Sequence, residues 1–384
     1  MTTTLPAPHH HSLRIVFLAA VLAGCAGTFS YNEDRISKMN HIPPKVETLF
    51  QKTKTVCFGR FMIDLPETAQ LVWGPMWVPY DLDVFPGEGH KLKEEIKAKV
   101  DEISSEKHRK EPSMLIGVFD SINPDSKIVV GYESSFYTTG AQLYSYIRLG
   151  NTAFVQSIPS SSLVVSDKNA RLGIREDKTL YKKDVAELLN IARRLRLRDE
   201  NEIPDEPGVC IEEGFIASPL DFNSERIAIG FRFPEVPDVT LAIETISTAR
   251  PTEDDTLKAA LKGGQEGARV LGLSSLFSRI RFLRKHDRAI GNWKGAEALS
   301  RLPSKDGSPE THDFMFIAPG VANDMLRPYV KINFYTGVEE NSRGQVQPSL
   351  TDNEAVAMWD KLTTTIRVRP TKEKPSDGEA QPEQ

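Results

Sequence analysis

Val56-Cys57-Phe58-Gly59-Arg60-Phe61-Met62-Ile63-Asp64-Leu65-Pro66 has a counterpart later in the chain, Val209-Cys210-Ile211-Glu212-Glu213-Gly214-Phe215-Ile216-Ala217-Ser218-Pro219. In both, a strand-like run enters through a cysteine and stops at a proline, which has no N–H with which to continue a central ladder. The correspondence reads as two lobes built on one plan. The lobes also close alike. Residues 178–197 place Val185, Leu188, Leu189, Ala192 and Leu195 at helical spacing, and residues 350–366 do the same with Ala355, Met358, Trp359 and Leu362. Thr351 or Asp352 is suited to cap the second helix. A basic-apolar alternation follows each helix, Arg194-Leu195-Arg196-Leu197-Arg198 and Ile366-Arg367-Val368-Arg369.

Between these markers each lobe carries strands and a further helix. Residues 88–110 set Leu92, Ile96 and Val100 on one face against Lys and Glu on the other, and 252–261 is the shorter counterpart, with Asp254 and Asp255 at its positive end. Strands are expected at 114–119, 127–132 and 141–149, then at 226–233, 239–246, 279–283, 297–302, 313–317 and 329–335. Several alternate apolar and polar residues, as half-buried antiparallel strands do. Residues 199–207 are acidic and Pro-rich, which marks a linker. The expected fold is therefore α+β, with two tandem lobes at 46–198 and 208–370 and mostly antiparallel sheets. Residues 371–384 are polar and charged, carry Pro375 and Pro382, and read as a disordered tail.

The chain opens with Arg14 and the apolar run Ile15 to Ala23, too short to span a bilayer and shaped like a secretory leader. The run ends in Leu22-Ala23-Gly24-Cys25. Small residues before a cysteine resemble a bacterial lipoprotein signal, which implies removal of 1–24 and a lipid on Cys25. The alternative is an ordinary leader with an incidental cysteine. Ala26 stands where an Asp would favour retention at the inner membrane, so the resemblance implies the outer membrane, facing the periplasm. Residues 25–45 read as a tether, and the histidines at 9–11 belong to the leader. With Cys25 lipidated, Cys57 and Cys210 are left as a candidate disulfide in an oxidising compartment, or as two separate buried thiols.

The net charge of −5 lacks the basic excess of a nucleic-acid binder. Arg193, Arg194, Arg196 and Arg198 are read as cations at a helix C-terminus. A hydrolase elbow is missing, since Gly272-Leu-Ser-Ser-Leu276 fails at its last position. No His-Glu-x-x-His pair, Walker loop or Gly-x-Gly-x-x-Gly fingerprint is present. His312-Asp313 is read as a strand-end polar pair rather than a catalytic dyad. No catalytic residue, metal ligand or cofactor is assigned. Trp73, Trp77 and Tyr80, set among Gly74, Pro75 and Pro79, are either a small core or rigid contact area for a partner.

The block Cys57 to Pro66 resembles the opening strand of the immunity proteins that neutralise class 4 lipase effectors of type VI secretion. The second half resembles their C-terminal domain through Gly291-Asn-Trp-Lys-Gly295 before Glu297, Phe314 to Gly320, and Pro328 to Gly337. The similarity spans residues 46 to 370; segment 71–86 has no counterpart in the pattern. It implies a claw-like pair of lobes that clamps an α/β-hydrolase phospholipase and blocks substrate access, with no enzymatic activity, no cofactor and no nucleic acid. Trp293 joins Trp73, Trp77 and Tyr80 as a candidate contact. The competing expectation is an envelope lipoprotein that binds a small ligand or cell-wall component.

Overall fold

The computed structural model describes residues 42–218, 224–247, 250–304 and 307–372. The leader, the lipidation candidate Cys25 and the tail beyond Lys372 lie outside the described residues. Six α-helices occur among the described residues: α1 Pro44–Leu49, α2 Leu92–Ser105, α3 Tyr181–Arg194, α4 Leu257–Val270, α5 Ser274–Phe277 and α6 Asp352–Thr363. The sheets are antiparallel throughout the pairings described here. Two compact units form. The first holds residues 75–199 and 208–218, and the second holds 42–74, 200–207 and 224–372.

In the first unit, strands Asp81–Phe85, Thr152–Ser162, Gly140–Leu149, Lys127–Tyr132 and Leu115–Asp120 lie side by side in that order. Leu92, Ile96 and Ile103 of α2 and Leu188 of α3 pack into one core with Ile128, Val130, Leu143 and Ala153. Helix α2 stops at Ser105, short of the expected 110. Glu106 turns extended there, and the ring of His108 folds inward, its Nδ1 accepting the N–H groups of Lys110 and Glu111 at 3.0 Å each. Helix α3 ends at Arg194 because Leu195–Leu197 leaves it to pair with Gly214–Ala217, which also pairs with Gly208–Ile211.

In the second unit, Arg281–Ile290, Trp293–Leu302, Thr311–Ala318, Tyr329–Tyr335, Thr240–Ile246 and Arg226–Arg232 form a sheet in that order. Met315 and Ile317 meet Leu257 and Leu261 of α4 on one face. Phe314 and Phe334 meet Trp359 of α6 on the other, at centroid distances of 6.1 and 6.4 Å. With helices on both faces, every residue of Thr311–Ala318 is buried, and the polar alternation of a one-sided sheet disappears from its sequence. Helix α4 runs to Val270, well past the expected 261. Its Gly263, Gly264 and Gly267 weaken the helical signal, yet Leu257, Leu261 and Gly264 still make a buried stripe.

The two cysteine hairpins have an unexpected allegiance. Thr53–Phe58 and Phe61–Pro66 form a hairpin that pairs with Arg367–Val368, the strand after α6, so this stretch of the first half belongs to the second unit. Gly208–Ile211 and Gly214–Ala217 pair with the strand after α3, so this stretch of the second half belongs to the first unit. Each compact unit therefore includes the opening hairpin of the other half of the sequence. The acidic stretch is tied down rather than loose: Lys54 Nζ meets Glu200 at 2.8 Å, Arg369 Nη1 donates to Glu206 O at 2.8 Å, and Lys372 N donates to Asp205 O at 2.6 Å. At the N-terminal side, the last residues of the expected tether enter α1, with Pro44 in its first turn and Val46 fully buried.

Candidate functional site

A reactive centre would need a nucleophile or acid–base pair open to a substrate, and the most suggestive cluster surrounds His312. Its neighbour in sequence, Asp313, is not its partner. Successive side chains of a strand point to opposite faces, so Asp313 reaches Arg343 at 2.6 Å while His312 Nε2 donates to Asp352 Oδ1 at 3.1 Å. Thr336 Oγ1 accepts the His312 N–H and donates to its Nδ1, both at 2.9 Å. Burial holds the imidazole below its ordinary pKa against the pull of Asp352, so it is neutral at pH 7. The hydroxyl of this Thr–His–Asp chain is buried within the ring of bonds it closes. The cluster therefore fixes the start of α6 to the strand Thr311–Ala318.

A second charged cluster sits deeper. Glu297 is fully buried and accepts from Arg284 Nε and Arg288 Nη1 at 2.6 Å each, from Trp359 Nε1 at 2.9 Å, and lies 3.1 Å from His286 Nε2. Asp360 of α6 binds the same two arginines. Burial raises the Glu297 pKa, but the two guanidiniums and the indole outweigh it and hold the group below its usual value. Every acceptor is engaged, as a buried ion cluster requires.

A cleft of about 670 Å3 opens at the start of α4, between Leu257, Ala296, Ile317 and Pro319, with Lys258 and Lys294 at its rim. Its hydroxyl, Thr256 Oγ1, is committed to the helix: it donates to Glu253 O and accepts from Ala259 N. Among the described residues, no group of His, Cys, Asp and Glu is placed to hold a metal ion.

The aromatic contact candidates do not form one group. Strand Gln70–Trp77 gives Trp73 to the second unit and Trp77 to the first, where Met76 and Trp77 pair with Leu82 and Asp81. All of Trp73, Trp77 and Tyr80 are half-buried. Burial and the carboxylate of Glu187 push the Tyr80 phenol pKa upward, so its hydroxyl stays protonated. Trp293 has to be withdrawn as a contact. It is 2% exposed, its ring lies 4.6 Å from Phe61, and its Nε1 donates to Pro328 O at 2.9 Å. Cys57 and Cys210 are both fully buried and both disulfide-bonded. The basic run also divides: Arg193 and Arg194 end α3, whereas buried Arg198 donates to the carbonyls of Gly214 and Ile211.

The profile of the Tle cognate immunity protein 4 N-terminal domain matches residues 54–198, and that of its C-terminal domain matches residues 202–371. The chain belongs to the Tle cognate immunity protein 4 family. Among solved structures, the apo immunity protein TplEi of the type VI secretion system (T6SS) from Pseudomonas aeruginosa is 23% identical, with a TM-score of 0.63 over 83% of this chain and 98% of that one. A chain in the crystal structure of the Tle4-Tli4 complex is 24% identical, with a TM-score of 0.64 and the same coverage. TplEi complexed with "L" peptide is similar at 23% identity and a TM-score of 0.60. At these identities the likeness is one of fold. No curated protein sequence matches.

The blocks that carry the family resemblance have architectural work. Gly59, at φ +54°, makes the tight turn of the first hairpin. Arg60 is buried against Glu225, and Asp64 pairs with Arg367 at 3.0 Å. At Gly295 a Cβ would lie 2.2 Å from Ile317 O, so only glycine lets these strands approach there. Trp293, Glu297, Phe314 and Phe316 are all core. In this family member the legible residues hold the fold.

Proposed function

We propose that this chain is a periplasmic immunity protein that binds a cognate type VI secretion phospholipase of the α/β-hydrolase type and blocks access to its active site. Membership of the Tle cognate immunity protein 4 family, matched in both halves, carries this reading. The fold shared with a chain of the Tle4-Tli4 complex supports it. Two linked units gain from effective concentration, because docking of one makes binding of the other intramolecular. The protein acts by occupying the enzyme, and no catalysis of its own is required.

Cleavage before Cys25 and lipidation of its thiol place the chain on the outer membrane, beside the phospholipids under attack. With Cys25 acylated, Cys57 and Cys210 pair with each other. Non-reducing peptide mapping of the exported protein reads both points: it should yield one Cys57–Cys210 crosslinked peptide and an acylated N-terminal peptide. The biological test is co-expression with a type VI secretion lipase effector of the Tle4 class, exported to the periplasm. Cells carrying the immunity protein should survive, and killing at the rate of unprotected cells would refute the proposal.

A further inference from the structure

The first unit presents its most exposed aromatic side chains from one short loop. Phe136 and Tyr137 are 48% and 64% exposed, although aromatic rings bring large apolar area that folding ordinarily removes from water. The loop that carries them is stiff. Its base is closed by Glu133 N to Gly140 O at 3.1 Å and by Leu163 N to Thr139 O at 2.8 Å. Arg109 N donates to Ser135 O at 2.9 Å, and Phe136 N to Ser134 Oγ at 3.2 Å. His108 supplies the clamp from below. Its Nδ1 accepts two backbone N–H groups, which leaves Nε2 as the donor to Tyr137 O at 3.3 Å. Its ring is buried against Tyr132, at a centroid distance of 4.9 Å. The Arg109 guanidinium lies 4.3 Å over the Phe136 ring.

Beside this loop stands the hairpin of Val164–Ser166 and Ile174–Glu176, joined to it by Thr138 Oγ1 to Glu176 at 2.8 Å. It adds Leu172 and Ile174, at 81% and 45% exposed. We infer that these two loops form a docking surface for the lipase, with Phe136 and Tyr137 as its anchors. The inference rests on the immunity reading above and names where one unit makes contact. A loop already held in place loses little freedom on binding, and Tyr and Arg are among the residues that dominate interface energetics.

The surrounding charge decides between a protein and a membrane as the occupant. Lys107, Arg109, Arg171 and Arg175 are exposed on these segments together with Glu106, Glu133 and Glu176, and Asp167 is half-buried among them in sequence. An anionic bilayer attracts unbroken basic clusters and repels such carboxylates. A mixed-sign polar rim around an apolar centre suits a protein surface. The partner face is therefore an apolar depression with charges of both signs at its edge.

The test measures affinity of the full chain for the purified lipase by calorimetry, for wild type, Phe136→Ala/Tyr137→Ala and Leu172→Ser, with thermal melts to verify folding. The double variant should weaken binding at least thirty-fold and Leu172→Ser several-fold, both with unchanged melting. A folded double variant that binds within twofold of wild type overturns the surface while leaving the immunity reading intact. Wild type that binds no lipase overturns both. Flotation with phosphatidylglycerol vesicles that the double variant loses, alongside unchanged lipase affinity, would also overturn the proposal by assigning the surface to a membrane.

Discussion

Glu297 has no contact with water and faces two guanidiniums and an indole N–H, so its charge is as much a part of the core as Trp359 beside it. Removing one member of such a cluster strands the others. Glu297→Gln should cost about 3 kcal/mol or more in urea unfolding. The pKa directions fix the pH dependence. Glu297 and Asp352 are held low in the fold, so their stabilisation is complete above the ordinary carboxylate range and disappears as pH falls through their folded values. Neutral His312 is also depressed, which adds a loss beginning below about pH 6.5. Glu212 works in the opposite sense. Burial, then the charge of Glu213, raises it from 4.5 to about 7, so its penalty builds as pH rises between these values and is complete above them. Glu212→Gln should therefore raise the unfolding midpoint at pH 8, by on the order of 1 kcal/mol, and change nothing at pH 4. Sequence alone suggested none of these clusters. Arg284, Glu297 and Asp360 lie on three separate elements, and nothing in their spacing announces that they meet. His312 and Asp313, adjacent in sequence, are separated by the strand pleat.

Elements were legible where one face alone is buried. Arg226–Arg232 and Thr240–Ile246, each with buried and open positions in alternation, fall within a residue of the expected 226–233 and 239–246, and Thr351 caps α6, its hydroxyl and Glu354 forming a reciprocal capping box. Thr351→Ala should lower stability by about 1 kcal/mol, read from the denaturation midpoint. Elements with mixed signals were missed or misjudged. Thr152–Ser162 ends in Ile-Pro-Ser-Ser-Ser, with an irregular register against Gly140–Leu149, and shows no clean alternation. The long segment 71–86 is a hairpin whose aromatics fall to different units, so its local pattern matches neither core. Gly295 tests the close strand approach. Gly295→Ala drives a methyl into Ile317 O and should destabilise by about 1–3 kcal/mol, with loss of soluble expression as the cruder readout.

Two units of α+β build follow from the repeated cysteine hairpins and from helices that each lead into a short strand. Hairpin allegiance does not follow, because strand pairing between distant segments leaves no trace in local pattern. Phe61 fills the second unit against Trp293, and Phe215 lies in the first unit under Arg196. Residues 208–370 expressed alone would lack the hairpin that pairs with Arg367–Val368, and residues 46–198 alone would lack the partner of Leu195–Leu197. Neither half should melt cooperatively by itself, whereas co-expressed halves should; a separate half with a sharp calorimetric transition would contradict this. The immunity reading itself is tested most directly by titrating the full chain into the purified cognate lipase while following phospholipid hydrolysis. Activity should fall linearly and vanish at one equivalent. Hydrolysis undiminished by excess immunity protein would contradict the account.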